Sequence, residues 1–204
     1  KTTEWCKNWG IQINENKTIG TIYTNKRIRD NAPPLTINGE TIGIERQAKY
    51  LGIIIDEKLT WKKHILKIKK QLQLKTRQLY WLIGPKSTLS LYNKILIYKT
   101  IMKPIWTYGL QIWGTACDSN INIIERQQSK ILRLMTNAPR YISNTTLQKD
   151  LKINSVKDII REHTTKYINK ITHHNNNEIN KLPDLKRNTR RRLNKKRTVD
   201  LVIA

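Results

Sequence analysis

Up to about residue 58 the apolar residues come in short runs separated by polar breaks; from Trp61 onward they return every three, four or seven positions. The first pattern has the period of strands and the second that of amphipathic helices. Strands are predicted at Ile11–Asn14, Ile19–Tyr23, Leu35–Ile37, Glu40–Ile44 and Tyr50–Ile55. Asn38-Gly39 between two of these runs is a strong signal for a two-residue hairpin turn. Ahead of them, Trp5 and Trp9 suggest a short helix ended by Gly10, and Arg29 to Pro34 reads as a polar loop. Beyond, Trp61, Ile65, Ile68, Leu72, Leu79 and Leu82 make one apolar stripe about six turns long, with Thr60 as its cap and Gly84-Pro85 as its stop. Ser87 or Ser90 can cap a helix through Leu91, Ile95, Tyr98 and Ile101, and Ser119 one through Ile121 to Met135; a further helix is predicted over Ser155 to Ile171. The prediction is an α+β chain, a small mixed part with antiparallel strands followed by a mostly helical part.

Charge sharpens this division. The net charge of +24 over 204 residues exceeds any solubility need and points to a polyanionic partner. Residues 1–60 contribute nine basic and seven acidic side chains; residues 61–83 carry seven basic and no acidic ones, and residues 183–204 eight against two. The heavy use of Lys, Asn and Ile also fits AT-rich coding, which would account for part of the charge without selection for binding. No apolar run approaches the ~20 residues of a spanning helix, so nucleic acid is a better partner than a membrane. Cys6 and Cys117 stand alone, without metal-ligand spacing, and suggest an intracellular setting, nucleus and cytoplasm, with no metal site of their own.

Lys49 to Trp61 joins a β-branched run directly to the basic helix, with Gly52 placed where a side chain would hold another backbone at a distance. Tyr50-Leu51-Gly52, then Asp56 and Leu59-Thr60-Trp61-x-x-His64-Ile65, resembles the joint between palm and thumb in reverse transcriptases of non-LTR retrotransposons, the jockey-like insect group in particular. Further segments are similar in the same order: Trp5-x-x-x-Trp9, Asn14-x-x-Lys17, Lys103-Pro104-Ile105, Tyr108-Gly109, Ile112-Trp113-Gly114, Gln127-x-x-x-Ile131-Leu132-Arg133 and Leu147-x-x-Asp150-Leu151. The resemblance implies the end of a palm over 1–58, a helical thumb over 59–118, a helical C-terminal extension over 119–182 and a loosely ordered basic tail over 183–204. It also implies an RNA template and a DNA primer as partners, and Mg²⁺ as cofactor of a parent enzyme. The carboxylates that would hold two metal ions sit in that family on an aromatic-x-Asp-Asp turn and an earlier strand, and neither occurs here. Asp56-Glu57 lacks such a turn, and Lys1 opens the chain without Met. The expectation is therefore the C-terminal part of a longer polymerase, with no cofactor in this part and no activity alone. A free-standing nucleic-acid-binding protein and a degenerate transposon relic stay open as alternatives.

By resemblance Tyr50, Leu51 and Gly52 are the primer grip, against which the DNA 3′ end is held, and Lys17 assists the leaving pyrophosphate. Taken alone, the first reads as a core strand and the second as a solvated lysine. Lys63, Lys67, Lys70 and Arg77 form a second stripe on the basic helix, at intervals suited to a phosphate backbone. Arg190, Arg191 and Arg192 offer a further cluster for nucleic acid, or a solvated tail. Tyr98, Trp106, Tyr108 and Trp113 are interleaved with Ile and Leu and read as core, and His173-His174 lacks partners at metal spacing.

Overall fold

A computed structural model describes residues 2–24, 34–182 and 196–203. The chain falls into two compact units that divide between Leu59 and Thr60.

In the first unit, helix α1 (Thr2–Asn8) ends in a left-handed Gly10, φ 65°, that lets Ile11 N–H reach back to Cys6 O at 2.8 Å and Gly10 N–H to Lys7 O at 3.1 Å. The strand expected at Ile11–Asn14 does not form: Ile11 is used in this cap, and the Asn14 side chain caps a 3₁₀ turn at Glu15–Lys17. The strand expected at Ile19–Tyr23 shrinks to one parallel bridge between Gly20 and Ile44. A Cβ on Gly20 would lie 2.9 Å from the Leu35 Cδ1, so a larger residue there would make that side chain shift. Strands β1 (Leu35–Ile37) and β2 (Glu40–Ile42) pair antiparallel around Asn38-Gly39, both at positive φ, as the sequence predicts.

Strands β3 (Gln47–Tyr50) and β4 (Ile53–Asp56) make a second antiparallel hairpin, with Tyr50 opposite Ile53 and Gln47 opposite Asp56. This corrects the reading of Tyr50–Ile55 as one strand. Leu51 and Gly52 have φ of 45° and 81° and form the turn itself, because two consecutive left-handed residues match the twist of the flanking strands. Of the apolar side chains described in this unit, Cys6, Ile42 and Ile53 are buried, whereas Trp5 and Trp9 are exposed with ring centroids 6.1 Å apart.

The second unit is helical. Helix α2 (Lys62–Gln78) starts at a left-handed Trp61, φ 61°, whose indole N–H donates to Thr115 Oγ1 at 3.0 Å; the hydroxyl of Thr60, expected as the cap, accepts from Lys62 N–H at 3.4 Å. The expected helix to Ile83 breaks at Leu79 and resumes as α3 (Tyr80–Ile83). Next come α4 (Leu91–Ile97), capped by Ser90, a π-helical turn at Tyr98–Met102, α5 (Lys103–Thr107) and α6 (Leu110–Trp113). The wide turn stands just ahead of Pro104, which has no N–H to give the preceding turn.

Helix α7 (Asp118–Thr136) begins one residue before the cap expected of Ser119, which lies inside it beside Cys117 at 3.2 Å. A left-handed Asn137 ends it. Helix α8 (Asn144–Asp150), capped by Ser143, has no predicted counterpart, since Leu147 is its one buried residue. Helix α9 (Val156–Thr172) forms where the sequence predicts a helix and is capped by Ser155, and α10 (Asn177–Asn180) is capped by Asn176. The tail departs from the loose order expected of it at its end: residues 196–203 form a turn and α11 (Asp200–Ile203) against α9, with Thr198 Oγ1 donating to Gln111 O at 3.0 Å. The core lies between α2 and α7, closed by α5, α6 and α9, and holds Ile65, Leu72, Met102, Trp106, Trp113, Ile124, Leu132 and Ile159. Buried Tyr98 accepts from Gln128 Nε2 at 3.0 Å, and burial pushes its hydroxyl up to about 12.

Candidate nucleic-acid interface

Helix α2 separates its residues into two faces. His64, Ile65, Ile68 and Leu72 are buried, while Lys63, Lys70 and Arg77 are exposed and Lys67 is half-buried. From Lys63 to Arg77 these cations span about 21 Å at 1.5 Å per residue, the reach of about six nucleotide steps. The helix contains no Asp or Glu, and none occurs anywhere from Lys58 to Cys117, where twelve Lys and Arg do. Such a face cannot neutralise itself with carboxylates of its own segment, so it presents a standing positive potential to solvent. The stripe is not purely cationic. Leu74, between Lys70 and Arg77 at the same spacing, is 58% exposed, a feature that reading by charge alone passes over.

His64 fixes the inner face. It meets Trp113 edge to face at 6.4 Å, and its imidazolium is disfavoured down to about 4, first by burial and second by the nearby charge of Lys67. An unfolded chain takes up this proton near the ordinary value of 6.5 while the folded one holds it off until about 4. Stability is therefore complete above pH 6.5 and is lost as pH falls toward 4, by at most about 2 kcal/mol at pH 5 from this group. Urea midpoints measured from pH 7 to 4.5 are expected to fall less steeply for His64→Gln than for the native chain. Parallel curves would assign the acid sensitivity to other groups.

The grip and leaving-group candidates belong to the first unit. Tyr50 and Leu51 stand 65% and 69% exposed at the tip of the β3–β4 hairpin, with Gly52 beside them in the turn. A leucine in left-handed backbone costs roughly 1–2 kcal/mol relative to a glycine there, and it leaves a large apolar side chain in solvent. Both features set the tip apart from the core. Lys17 closes the 3₁₀ turn, its N–H held by Asn14 Oδ1 at 3.1 Å and its side chain exposed. Asn14-x-x-Lys17 is thus a local structural unit: the asparagine caps the turn that carries the lysine. Arg190, Arg191 and Arg192 lie outside the described residues.

Of the four aromatics read as core, Tyr98, Trp106 and Trp113 are buried and Tyr108 is 58% exposed. The exception follows from Gly109, left-handed at φ 63°, which turns the chain between α5 and α6 so that the Tyr108 carbonyl, not its ring, is used: it accepts from Trp113 Nε1 at 3.0 Å. His173 and His174 bond Asn169 O and Asn176 N–H, ending α9. Among the described residues no three His, Cys, Asp or Glu side chains gather as a metal site. No described helix is long and apolar enough to cross a membrane.

Comparison with known proteins agrees with the resemblance read from the sequence. The probable RNA-directed DNA polymerase from transposon X-element of Drosophila melanogaster is 40% identical over 200 residues, 98% of this chain and 22% of its own length. The probable RNA-directed DNA polymerase from transposon BS, of the same fly, is 37% identical over 83% of the chain, and the RNA-directed DNA polymerase from mobile element jockey 35% identical over 88%. The chain spans about a fifth of the length of these relatives. No protein-family model matches the chain, and no solved structure does. With homologues of one kind covering nearly every residue, the chain belongs to the family of RNA-directed DNA polymerases of non-LTR transposons.

Proposed function

We propose that this chain holds the primer–template duplex, an RNA template paired with a DNA primer, for an RNA-directed DNA polymerase whose reacting centre lies in other parts of the enzyme. The observation that carries the reading is the acid-free outer face of α2, with cations at one-turn spacing opposite a buried face. Phosphate contacts of this kind give affinity without sequence preference, which a polymerase needs as the duplex moves past. The β3–β4 tip is the primer grip of this reading, its Leu51-Gly52 turn offering backbone and apolar surface to the primer end. In this reading Lys17, carried on its capped turn, neutralises charge on the leaving pyrophosphate. In this reading Mg²⁺ is the cofactor of the parent enzyme and is held by other parts of it. A nuclear and cytoplasmic location belongs to the same reading.

Primer extension tests the division of labour. The purified chain is expected to bind a primed RNA template and to incorporate no labelled deoxynucleotide above a heat-treated control. In a full-length polymerase, Lys17→Ala is expected to slow single-turnover addition roughly 10- to 100-fold with primer–template affinity nearly unchanged. Incorporation by the chain alone, or equal addition rates for the two enzymes, would refute the corresponding assignment.

A further inference from the structure

Beyond Arg77 the stripe does not end in solvent. Positions 63, 67, 70, 74, 77 and 81 follow one another in alternating steps of four and three, the spacing of a single helix face, and the last is Trp81. At the junction the helical ladder is interrupted: Leu79 N–H closes α2 on Lys75 O at 3.0 Å, and Ile83 N–H opens α3 on Leu79 O at 3.0 Å. Trp81 stands in the short helix that follows, four positions beyond Arg77. Its ring is 72% exposed, with Tyr80 beside it at 51%.

A tryptophan left in water on a cationic segment offers a flat face on which a base can stack. Its helix is packed against the fold. Ile83 is fully buried, and the Lys94 ammonium, itself buried, donates to Gly84 O at 2.9 Å, tying α4 to the end of α3. A Cβ at Gly84 would lie 2.5 Å from Tyr80 O, so the turn that follows α3 is closed as tightly as the chain permits. The surrounding charge selects the partner. The twelve cations and absent acids of Lys58 to Cys117 call for a polyanion, and the polyanion that also offers flat aromatic faces is a nucleic acid. Inside a duplex those faces are covered by neighbouring base pairs, whereas an unpaired base leaves one open.

We infer that Trp81 is a stacking platform for an unpaired base next to the duplex that the α2 face holds. The inference rests on the proposed duplex-holding function and adds to it a residue that reads a base face rather than a phosphate. Stacking of this kind contributes through contact area and carries no charge, so its loss weakens binding without changing the number of counterions released.

Anisotropy titrations with an RNA–DNA hybrid bearing a single-stranded template overhang test it, alongside the same hybrid with an abasic overhang. Trp81→Ala is expected to weaken binding to the first substrate roughly 5- to 100-fold, with an unchanged slope of log affinity against log salt. Trp81→Phe is expected to recover most of that loss. On the abasic overhang the native chain and Trp81→Ala are expected to bind alike. An equal loss on both substrates, or no loss on either, would overturn the inference; the second result would assign the exposed indole to a protein partner instead. The underlying reading fails separately, if substitution of the α2 cations leaves affinity and salt slope untouched.

Discussion

Replacing Lys63, Lys67, Lys70 and Arg77 together by Gln is expected to flatten the salt dependence of hybrid binding by about 3.6 in the log–log slope, close to 0.9 for each phosphate contact on duplex DNA. Between 50 and 200 mM salt the native chain then loses about 100-fold more affinity than the variant. Glutamine keeps helix propensity, and the four side chains lie outside the Ile65, Ile68 and Leu72 face, so α2 is expected to fold and pack as before. Net charge alone would also produce a salt-dependent affinity, and the control is designed for that. Lys130, Lys149, Lys152 and Lys170 are exposed lysines elsewhere in the second unit, and their fourfold change to Gln removes the same charge. The account expects that control to lose less than one unit of slope. Equal losses from the two variants would leave α2 with no special role.

Trp113→Ala is expected to destabilise the second unit by about 3–5 kcal/mol, a large share of the roughly 5–15 kcal/mol that holds a domain folded. Trp113 is fully buried, packs edge to face on His64 and donates to the Tyr108 carbonyl, so truncation opens a cavity and strips an acceptor of its donor at once. Since His64 and Trp113 meet behind the cationic stripe, the same change is expected to weaken hybrid binding by loosening α2. Urea unfolding checks the first effect, with Tyr141→Ala as reference, because that ring is 87% exposed and its loss is expected to cost under about 0.5 kcal/mol. A loss under about 1 kcal/mol for Trp113→Ala would contradict the core assignment.

The helices of the second unit were legible because their signals are redundant. Ser90 and Ser155 cap helices whose buried faces repeat at helical spacing, so cap and stripe agree. Where one signal stands alone the reading is incomplete. Helix α8, with its Ser143 cap but only Leu147 buried, was missed, and α7 was found from its stripe but with its start misplaced, because Cys117 gives it no side-chain cap. The first unit was read less well, for a different reason. Its strands run three or four residues, too short for periodicity to tell a strand from a turn, and the β3–β4 turn is disguised by a leucine in backbone that glycine or asparagine usually takes. Asn38-Gly39 was found because its residues match their conformation; Leu51-Gly52 was missed because Leu51 does not. Of the candidate site, the cations of α2 were visible in sequence through their spacing. Leu74 and Trp81 were not, since an apolar residue on a charged face looks like core until its exposure is known.

The central claim is that the outer face of α2 lies along the nucleic-acid backbone, and site-specific crosslinking tests it most directly. A benzophenone-bearing residue placed at position 70, on the stripe, is compared with one at position 170, near the end of α9, each in the complete chain with a labelled RNA–DNA hybrid. Both positions are exposed, so accessibility to reagent does not separate them. The account predicts light-dependent attachment to the hybrid from position 70, suppressed by high salt, and little from position 170. Equal attachment from the two positions, or attachment from position 170 alone, would place the duplex elsewhere and contradict the account.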